Sequence, residues 1–327
     1  MEKEKHKTIE DSKCNHCHLC RNHCVYLDKY QIDIGDTAKL KELAFSCFLC
    51  GECTRRCPKG IDGREKILEM RRERVSKKNK PDKKGYELLL AEKKNYLFQN
   101  YRHAKEGSAL FLGCNFPSFY PKTTKALEGI LKQRAGIGVI YDCCGKPIAE
   151  LGMSEQEDKI IQRLEERLKM YRITELIMVC PNCYAFLNPR LSIPVVSIYE
   201  KLIELKIGER GLRKYPIFIP CPDKKDNAWF SMIQVFMEKQ CPAIPEVQCC
   251  GLGGCASIQE PELAKKLTDK LSKKGDEMIY TYCASCSGNL TRNGCHNVKH
   301  VLTEILGVHE QVDATHSMRN RILTKFK

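Results

Sequence analysis

The spacing of the cysteines constrains this chain more than any other feature. It has 21 of them. Eight form two runs, Cys14-x2-Cys17-x2-Cys20-x3-Cys24 and Cys47-x2-Cys50-x2-Cys53-x3-Cys57-Pro58, with starts thirty-three residues apart. Ten more repeat a different order. The first copy is Cys114, Cys143-Cys144-Gly145 and Cys180-Pro-Asn-Cys183; the second is Cys221, Cys249-Cys250-Gly251 and Cys283-Ala-Ser-Cys286. The intervening stretches are 28 and 35 residues in the first copy and 27 and 32 in the second. Only Cys241, Cys255 and Cys295 fall outside these patterns. Two internal duplications of this kind imply units that each gather sulfur at one place.

Sulfur gathered in this way serves disulfides, metal or redox chemistry. A chain of 327 residues builds cores without covalent staples. Met1 is followed by EKEKHKTIEDSK, with no apolar signal region, and no apolar stretch approaches the ~20 residues of a membrane span. The expected location is therefore cytoplasmic, with any peripheral attachment at a membrane through a partner subunit, and clustered cysteines there bind metal or do redox chemistry. The formal charge of +14 counts every cysteine as neutral. Thiolate-bound clusters are anionic and offset part of that excess. No recognition motif accompanies the charge, so nucleic acid is not an expected partner. The densest basic segment, 64–84 (REKILEMRRERVSKKNKPDKK), reads as a solvated helix fraying into a linker near Pro81.

A cubane [4Fe–4S] cluster needs four thiolates placed tetrahedrally. A C-x2-C-x2-C loop wraps three of them round one cluster, and in two-cluster ferredoxins the fourth cysteine of each run serves the other cluster. The expected sets are Cys14, Cys17, Cys20 with Cys57, and Cys47, Cys50, Cys53 with Cys24. Zinc would use C-x2-C pairs without the third and fourth cysteines in step. His16, His18 and His23 are expected to be polar residues around the first cluster, since no cysteine is missing for them to replace. The segment between the runs has a helical stretch near Thr37–Phe45, which favours a small helical domain.

From residue 109 onward, short apolar runs alternate with helical patterns. Ala109–Leu112, Gly138–Tyr141 and Leu176–Val179 read as buried strands that lead into cysteines, as do Ile217–Ile219, a run ending at Val247, and Met278–Tyr280. The segment 155–171 places Ile160, Ile161, Leu164 and Leu168 on one helical face. Alternation of this kind implies parallel sheets covered by helices, with ligands beyond the carboxyl ends of the strands. Residues 248–258 (QCCGLGGCASI) also contain Gly251-x-Gly253-x-x-Ala256, a weak dinucleotide signature. Its internal twin, Asp142-Cys143-Cys144-Gly145-Lys146-Pro147, keeps the cysteines and loses the later glycines, so metal ligation is the shared property. Gly251, Gly253 and Gly254 are expected to let the backbone approach a cluster. Cys255 is expected to be a buried small side chain or an extra thiol near the second set; Cys241, Cys295 and Trp229 are expected to pack in the core.

The order C…CCG…CxxC, twice over, resembles the cysteine-rich CCG domain found in the B-type subunit of heterodisulfide reductase. The same domain occurs in iron–sulfur subunits of glycolate, lactate and glycerol-3-phosphate oxidising enzymes. The preceding runs resemble the C-type, helical-ferredoxin component of that reductase, so the chain resembles the fused, D-type form. The resemblance implies an α+β multidomain protein. An N-terminal α-helical two-cluster ferredoxin domain (1–75) and a basic linker (76–107) precede two α/β CCG domains with small parallel sheets (108–210 and 211–310), and a basic tail (311–327) follows. It implies two [4Fe–4S] cubanes and one or two non-cubane [4Fe–4S] clusters, one on Cys114, Cys143, Cys144, Cys180 and Cys183, the other on Cys221, Cys249, Cys250, Cys283 and Cys286. The residues alone leave open one zinc ion or one ordinary cubane per CCG domain. Relatives often place a histidine beside the cysteine that corresponds to Cys221, where this chain reads Pro220-Cys221-Pro222-Asp223. The implied activity is electron transfer from the cubanes to the CCG clusters for reduction of a disulfide, or the reverse. The alternative is a non-catalytic electron conduit for a flavin-dependent glycolate, lactate or glycerol-3-phosphate dehydrogenase. Implied partners are an electron-donor or electron-acceptor subunit (a flavoprotein or a membrane cytochrome b) and a thiol or disulfide substrate.

Overall fold

Residues 13–62 fold round their cysteines. In the computed structural model, which describes residues 13–78, 80–81, 84–244, 247–272 and 277–327, this region is built of the helices Leu19–Asn22, Val25–Lys29, Thr37–Glu42 and Glu52–Arg56. The expected stretch near Thr37–Phe45 is one of these helices followed by a 3₁₀ turn, Ala44–Ser46. Helices this short are not stable alone. They are held by Tyr26, Leu27, Ile34, Leu40 and Phe48, all buried with Cys20, Cys24, Cys47 and Cys53 in one cluster. The charged opening stretch 1–12 lies outside the described residues.

The basic segment departs from its expected solvated character. Helix Gly63–Lys78 buries Ile67, Leu68, Met70 and Val75, and with them Lys66 and Arg71. The reason is that both cations find acceptors distant in sequence. Lys66 Nζ donates to the Ile34 carbonyl and to Thr37 Oγ1, both at 2.9 Å. Arg71, with no exposed surface, donates to four backbone carbonyls described below.

The first α/β lobe is a parallel sheet of β1 (Gly107–Phe111), β2 (Gly138–Ile140), β3 (Ile173–Met178) and β4 (Val195–Ser197), in the order β2-β1-β3-β4. The second is β5 (Ile217–Phe218), β6 (Ile279–Thr281) and β7 (Val298–His300), in that order and also parallel. Strands β4 and β7 have no counterpart among the expected strands. The run ending at Val247 forms no strand among its described residues: one isolated bridge joins Ile217 to Ala243, and residues 245–246 lie outside the description. Pro242 and Pro245 remove two backbone donors there, which disfavours a ladder.

Helix Ser154–Met170 covers the first sheet and buries Ile160, Leu164 and Leu168, each worth about 1.5–3 kcal/mol of transfer free energy. One apolar core runs through both lobes. Trp229 belongs to it, with Tyr184 and Tyr199 of the first lobe edge-on at 5.4 and 5.6 Å. Cys241 and Cys295 are buried in the same core and pack there as expected. Residues 311–327 do not trail as a tail. Helix Ser317–Leu323 lies against Phe116–Phe119, and Asn320 Nδ2 donates to the Ser118 carbonyl at 3.0 Å. No described helix is long and apolar enough to cross a membrane.

Candidate metal centres

Each strand that leads to a cysteine ends within three residues of it. β1 leads to Cys114, β2 to Cys143 and Cys144, β3 to Cys180, β5 to Cys221 and β6 to Cys283. Cys180 and Cys283 are the N-caps of helices Pro181–Leu187 and Ala284–Arg292, and Gly145, in the left-handed region (φ 84°), starts helix Lys146–Glu150 directly after Cys144. The strand-to-helix turns therefore carry the sulfurs to the carboxyl edge of both sheets, where helix N-termini favour thiolate over thiol.

Eight of the ten CCG sulfurs follow one another in order. Cys114 lies within hydrogen-bonding reach of Cys143, Cys143 of Cys144, Cys144 of Cys183, and Cys183 of Cys180. Cys180 reaches across the lobes to Cys283, Cys283 to Cys286, and Cys286 to Cys250. The first expected CCG set is thus one contiguous group. The second arrives in two parts, Cys250 with Cys283 and Cys286, and Cys249 with Cys221. Cys249 also reaches Cys50 of the N-terminal domain. Two thiols are held well below the usual range, one per lobe: Cys144 by bonds from Cys143 and Cys183, and Cys283 by bonds from Cys180 and Cys286, in both cases against the effect of burial.

The N-terminal cysteines surround two hollows. One is lined by Cys14, Cys17, Cys20 and Cys57. The other is lined by Cys24, Cys47, Cys50 and Cys53. Both four-cysteine groupings coincide with the sets expected from the spacing. The first hollow is the outer one: Cys17 is exposed, and Cys14 and Cys57 are partly so. His16 and His18 sit on it with their Nδ1 atoms 2.9 and 3.0 Å from Asp33 Oδ2. Burial pushes the Asp33 carboxyl up, but the Gly35 N–H and the two imidazoles together hold it below its ordinary value. The second hollow is interior, and Gln248 of the second lobe closes it. Cys50 there is held down at about 6, chiefly by Cys249 and against burial, with Gln248, the Glu52 N–H and Lys224 adding to the effect.

Four-thiol groups round two hollows, a line of eight thiols beyond them, and the separate pair Cys221 and Cys249 fit iron–sulfur clusters by their donor chemistry. Two cations, one buried and one partly so, stand beside the line. Lys93 and Arg321 share Glu92, at 2.6 and 2.9 Å, and both lie close enough to Cys114 to favour its thiolate. Arg321 also donates to Asn115 Oδ1 at 2.6 Å and Ser118 Oγ at 2.9 Å. Neither cation has a motif that would mark it in the sequence. His300, beside Thr281 in the β6–β7 ladder, is fully buried; burial holds its ring neutral, down at about 4. Its Nε2 has no partner among the described residues. Asp223, next but one after Cys221, accepts from the N–H groups of Trp229 and Phe230 and from the Tyr282 hydroxyl, which ties the Cys221 turn to the Cys283 turn.

The later glycines of QCCGLGGC differ from their expected role. Gly251 N–H does point at Cys249 Sγ, at 3.4 Å. Gly254, however, sits at φ +63°, and a Cβ there would lie 2.5 Å from the Cys47 carbonyl oxygen, so this glycine admits the N-terminal domain rather than a cluster. Cys255 Sγ faces the Pro147 carbonyl at 4.0 Å and packs in a cluster with Phe45 and Tyr86, away from the line of sulfurs. Gly254→Ala is expected to destabilise the folded chain by about 2–3 kcal/mol through backbone strain and the lost approach, read as an earlier urea midpoint at unchanged iron content.

Comparison with known proteins matches this organisation. The model described as a cysteine-rich domain, CCG, covers residues 108–188 and 217–291, and that described as a 4Fe-4S dicluster domain covers 13–62. The chain belongs to the iron–sulfur proteins that join a dicluster domain to two CCG domains. Relatives of this CCG protein include an uncharacterized iron–sulfur protein of Methanococcus maripaludis, 25% identical over 82% of this chain and 59% of the relative. Another is a fumarate reductase (CoM/CoB) component of Methanothermobacter marburgensis, 23% identical over 89% of this chain and 66% of the relative. A third is the EtfAB:quinone oxidoreductase of Syntrophomonas wolfei, 22% identical over 75% of this chain and 42% of the relative. The CCG protein spans less than two thirds of the length of each. Its dicluster domain and two CCG domains, with their cysteines, support multiple iron–sulfur clusters.

Proposed function

We propose that the CCG protein moves electrons from the outer N-terminal cluster to the sulfur line between its lobes and there reduces a disulfide, or runs the reverse reaction. The observation that carries this reading is the closeness of Cys180 to Cys283, which joins the first CCG set to Cys283, Cys286 and Cys250 of the second. The ligand groups in this reading are Cys14, Cys17, Cys20 and Cys57; Cys24, Cys47, Cys50 and Cys53; Cys114, Cys143, Cys144, Cys180 and Cys183; and Cys221, Cys249, Cys250, Cys283 and Cys286. The domain limits 1–75, 108–210 and 211–310 belong to the same proposal.

Iron–sulfur clusters bound there would supply one-electron storage and iron sites with affinity for sulfur. The chain's own residues do the rest. Cys17 gives the outer site access to a donor, and the Cys50–Cys249 contact brings the N-terminal domain to the second lobe. Lys93 and Arg321 offset negative charge at Cys114. The overall step takes up two electrons and two protons, breaks one S–S bond and forms two S–H bonds. A partner redox protein, either a flavoprotein or a membrane cytochrome b, would donate or accept the electrons.

A second reading, transfer without disulfide chemistry, is favoured by the likeness to the protein named EtfAB:quinone oxidoreductase. The two separate in one experiment: EPR of the oxidised, anaerobically purified protein with and without added thiol, alongside iron and sulfide counts. Disulfide chemistry predicts a new paramagnetic signal with thiol, lost in Cys250→Ala and kept in Cys241→Ala. If no thiol or disulfide perturbs any cluster, the conduit reading stands and the disulfide reading falls.

A further inference from the structure

The residue before each CCG pair differs between the lobes, and the difference is chemical. In the first lobe it is Asp142, an acceptor turned toward its own lobe, where it takes the Cys143 N–H and the Tyr101 hydroxyl, both at 2.7 Å. In the second lobe it is Gln248, a donor turned out of its lobe. Its Oε1 accepts from the Val25 N–H at 2.9 Å, which fixes the orientation of the amide. Its Nε2 is then left to donate to Cys24 Sγ at 3.4 Å and to Cys50 Sγ at 3.3 Å. The side chain is buried, and its backbone is anchored from behind, where Lys224 Nζ donates to the Val247 and Gln248 carbonyls at 2.7 and 2.9 Å. The next residue, Cys249, reaches Cys50 itself.

We propose that Gln248 is a positioning and tuning residue for the inner N-terminal cluster. The second CCG domain uses it to set the reduction potential of the site from which it receives electrons. Hydrogen bonds to cluster sulfurs stabilise the more negative, reduced state and raise the potential. Gln248 supplies two such bonds from a segment that is more than 220 positions away in sequence from Cys24. A carboxylate like that of Asp142 would instead set negative charge against the same two sulfurs, and the duplicated position has the uncharged donor where it faces the other domain. The potential of the inner site is thereby tied to the docking of the second lobe: the bonds exist only while residues 248 and 25 are in contact.

This inference rests on the assignment of Cys24, Cys47, Cys50 and Cys53 to one cluster, and the experiment tests the two separately. EPR-monitored redox titrations are run on the full-length, iron-loaded protein and on Gln248→Leu and Gln248→Glu, with iron counts on each. The expected result is that one of the two N-terminal cluster signals moves to lower potential in both variants, further in Gln248→Glu, while the other keeps its wild-type midpoint. Gln248→Glu retains the acceptor for Val25, so it remains informative if the leucine variant does not hold its iron. Wild-type midpoints for both signals at full iron content would overturn the proposal, because a merely structural contact would change stability and leave potentials alone. A full iron count and both signals in Cys50→Ala would instead overturn the ligand assignment.

Discussion

Arg71→Ala is expected to be the most damaging single substitution outside the cysteines, costing on the order of 4–5 kcal/mol. Its guanidinium is fully buried and donates to the carbonyls of Ala44 at 2.9 Å and Cys47 at 2.7 Å in the N-terminal domain, of Glu150 at 2.6 Å in the first lobe, and of Gly254 at 2.7 Å in the second. One side chain thus fastens three units, with the Phe45 ring 5.1 Å away as a face for the cation. Truncation leaves four buried acceptors facing a cavity, each costing about 1–3 kcal/mol if unpaired, less whatever water recovers. Arg71→Lys is expected to recover less than half, since a compact ammonium does not span four carbonyls arrayed round a planar fork. Anaerobic urea unfolding followed by far-UV circular dichroism reads both; a loss below about 1 kcal/mol for the alanine variant would show that the clamp is not a stability determinant.

Removal of iron is expected to unfold residues 13–62 while the sheets persist. The N-terminal helices are four to six residues long, and Cys24, Cys47 and Cys53 of the inner hollow lie in the same buried cluster as the side chains that hold them. Burial pushes the Cys47 thiol up to about 12 and Cys53 well above the ordinary thiol range, so without iron they are uncharged groups lining the inner hollow. Metal-binding free energy is then folding free energy for this domain. The lobes do not depend on it in the same way: Leu110, Phe111, Leu176, Ile177 and Tyr280 lie in a continuous apolar core. Hydrogen exchange after chelation is expected to show lost protection in 13–62 and retained protection in β1, β3 and β6. Uniform loss across the chain would mean that iron holds the lobes as well.

Much of this was legible from residue order because cysteines mark where strands stop. Ala109–Leu112 and Leu176–Val179 are apolar runs that lead directly to a sulfur, and both are central strands. Strands β4 and β7 are three residues long and lead to no cysteine, and His300 gives β7 a polar member, so neither stood out. Arg71 was illegible for a different reason. In REKILEMRRERVSKK one arginine is indistinguishable from its neighbours until carbonyls brought from residues 44, 47, 150 and 254 converge on it. Arg321 likewise looked like one more charge in a basic tail. Gln248 carried only its place before a cysteine pair, and its twin there is an aspartate with the opposite hydrogen-bonding character.

The closing of the inner hollow by Gln248 has a consequence for how the protein is made. A ribosome releases Cys24, Cys47, Cys50 and Cys53 long before residue 248, so during synthesis that pocket has a missing wall. A centre assembled there before the second lobe folds would lack the two amide bonds to Cys24 and Cys50, which arrive only with that lobe.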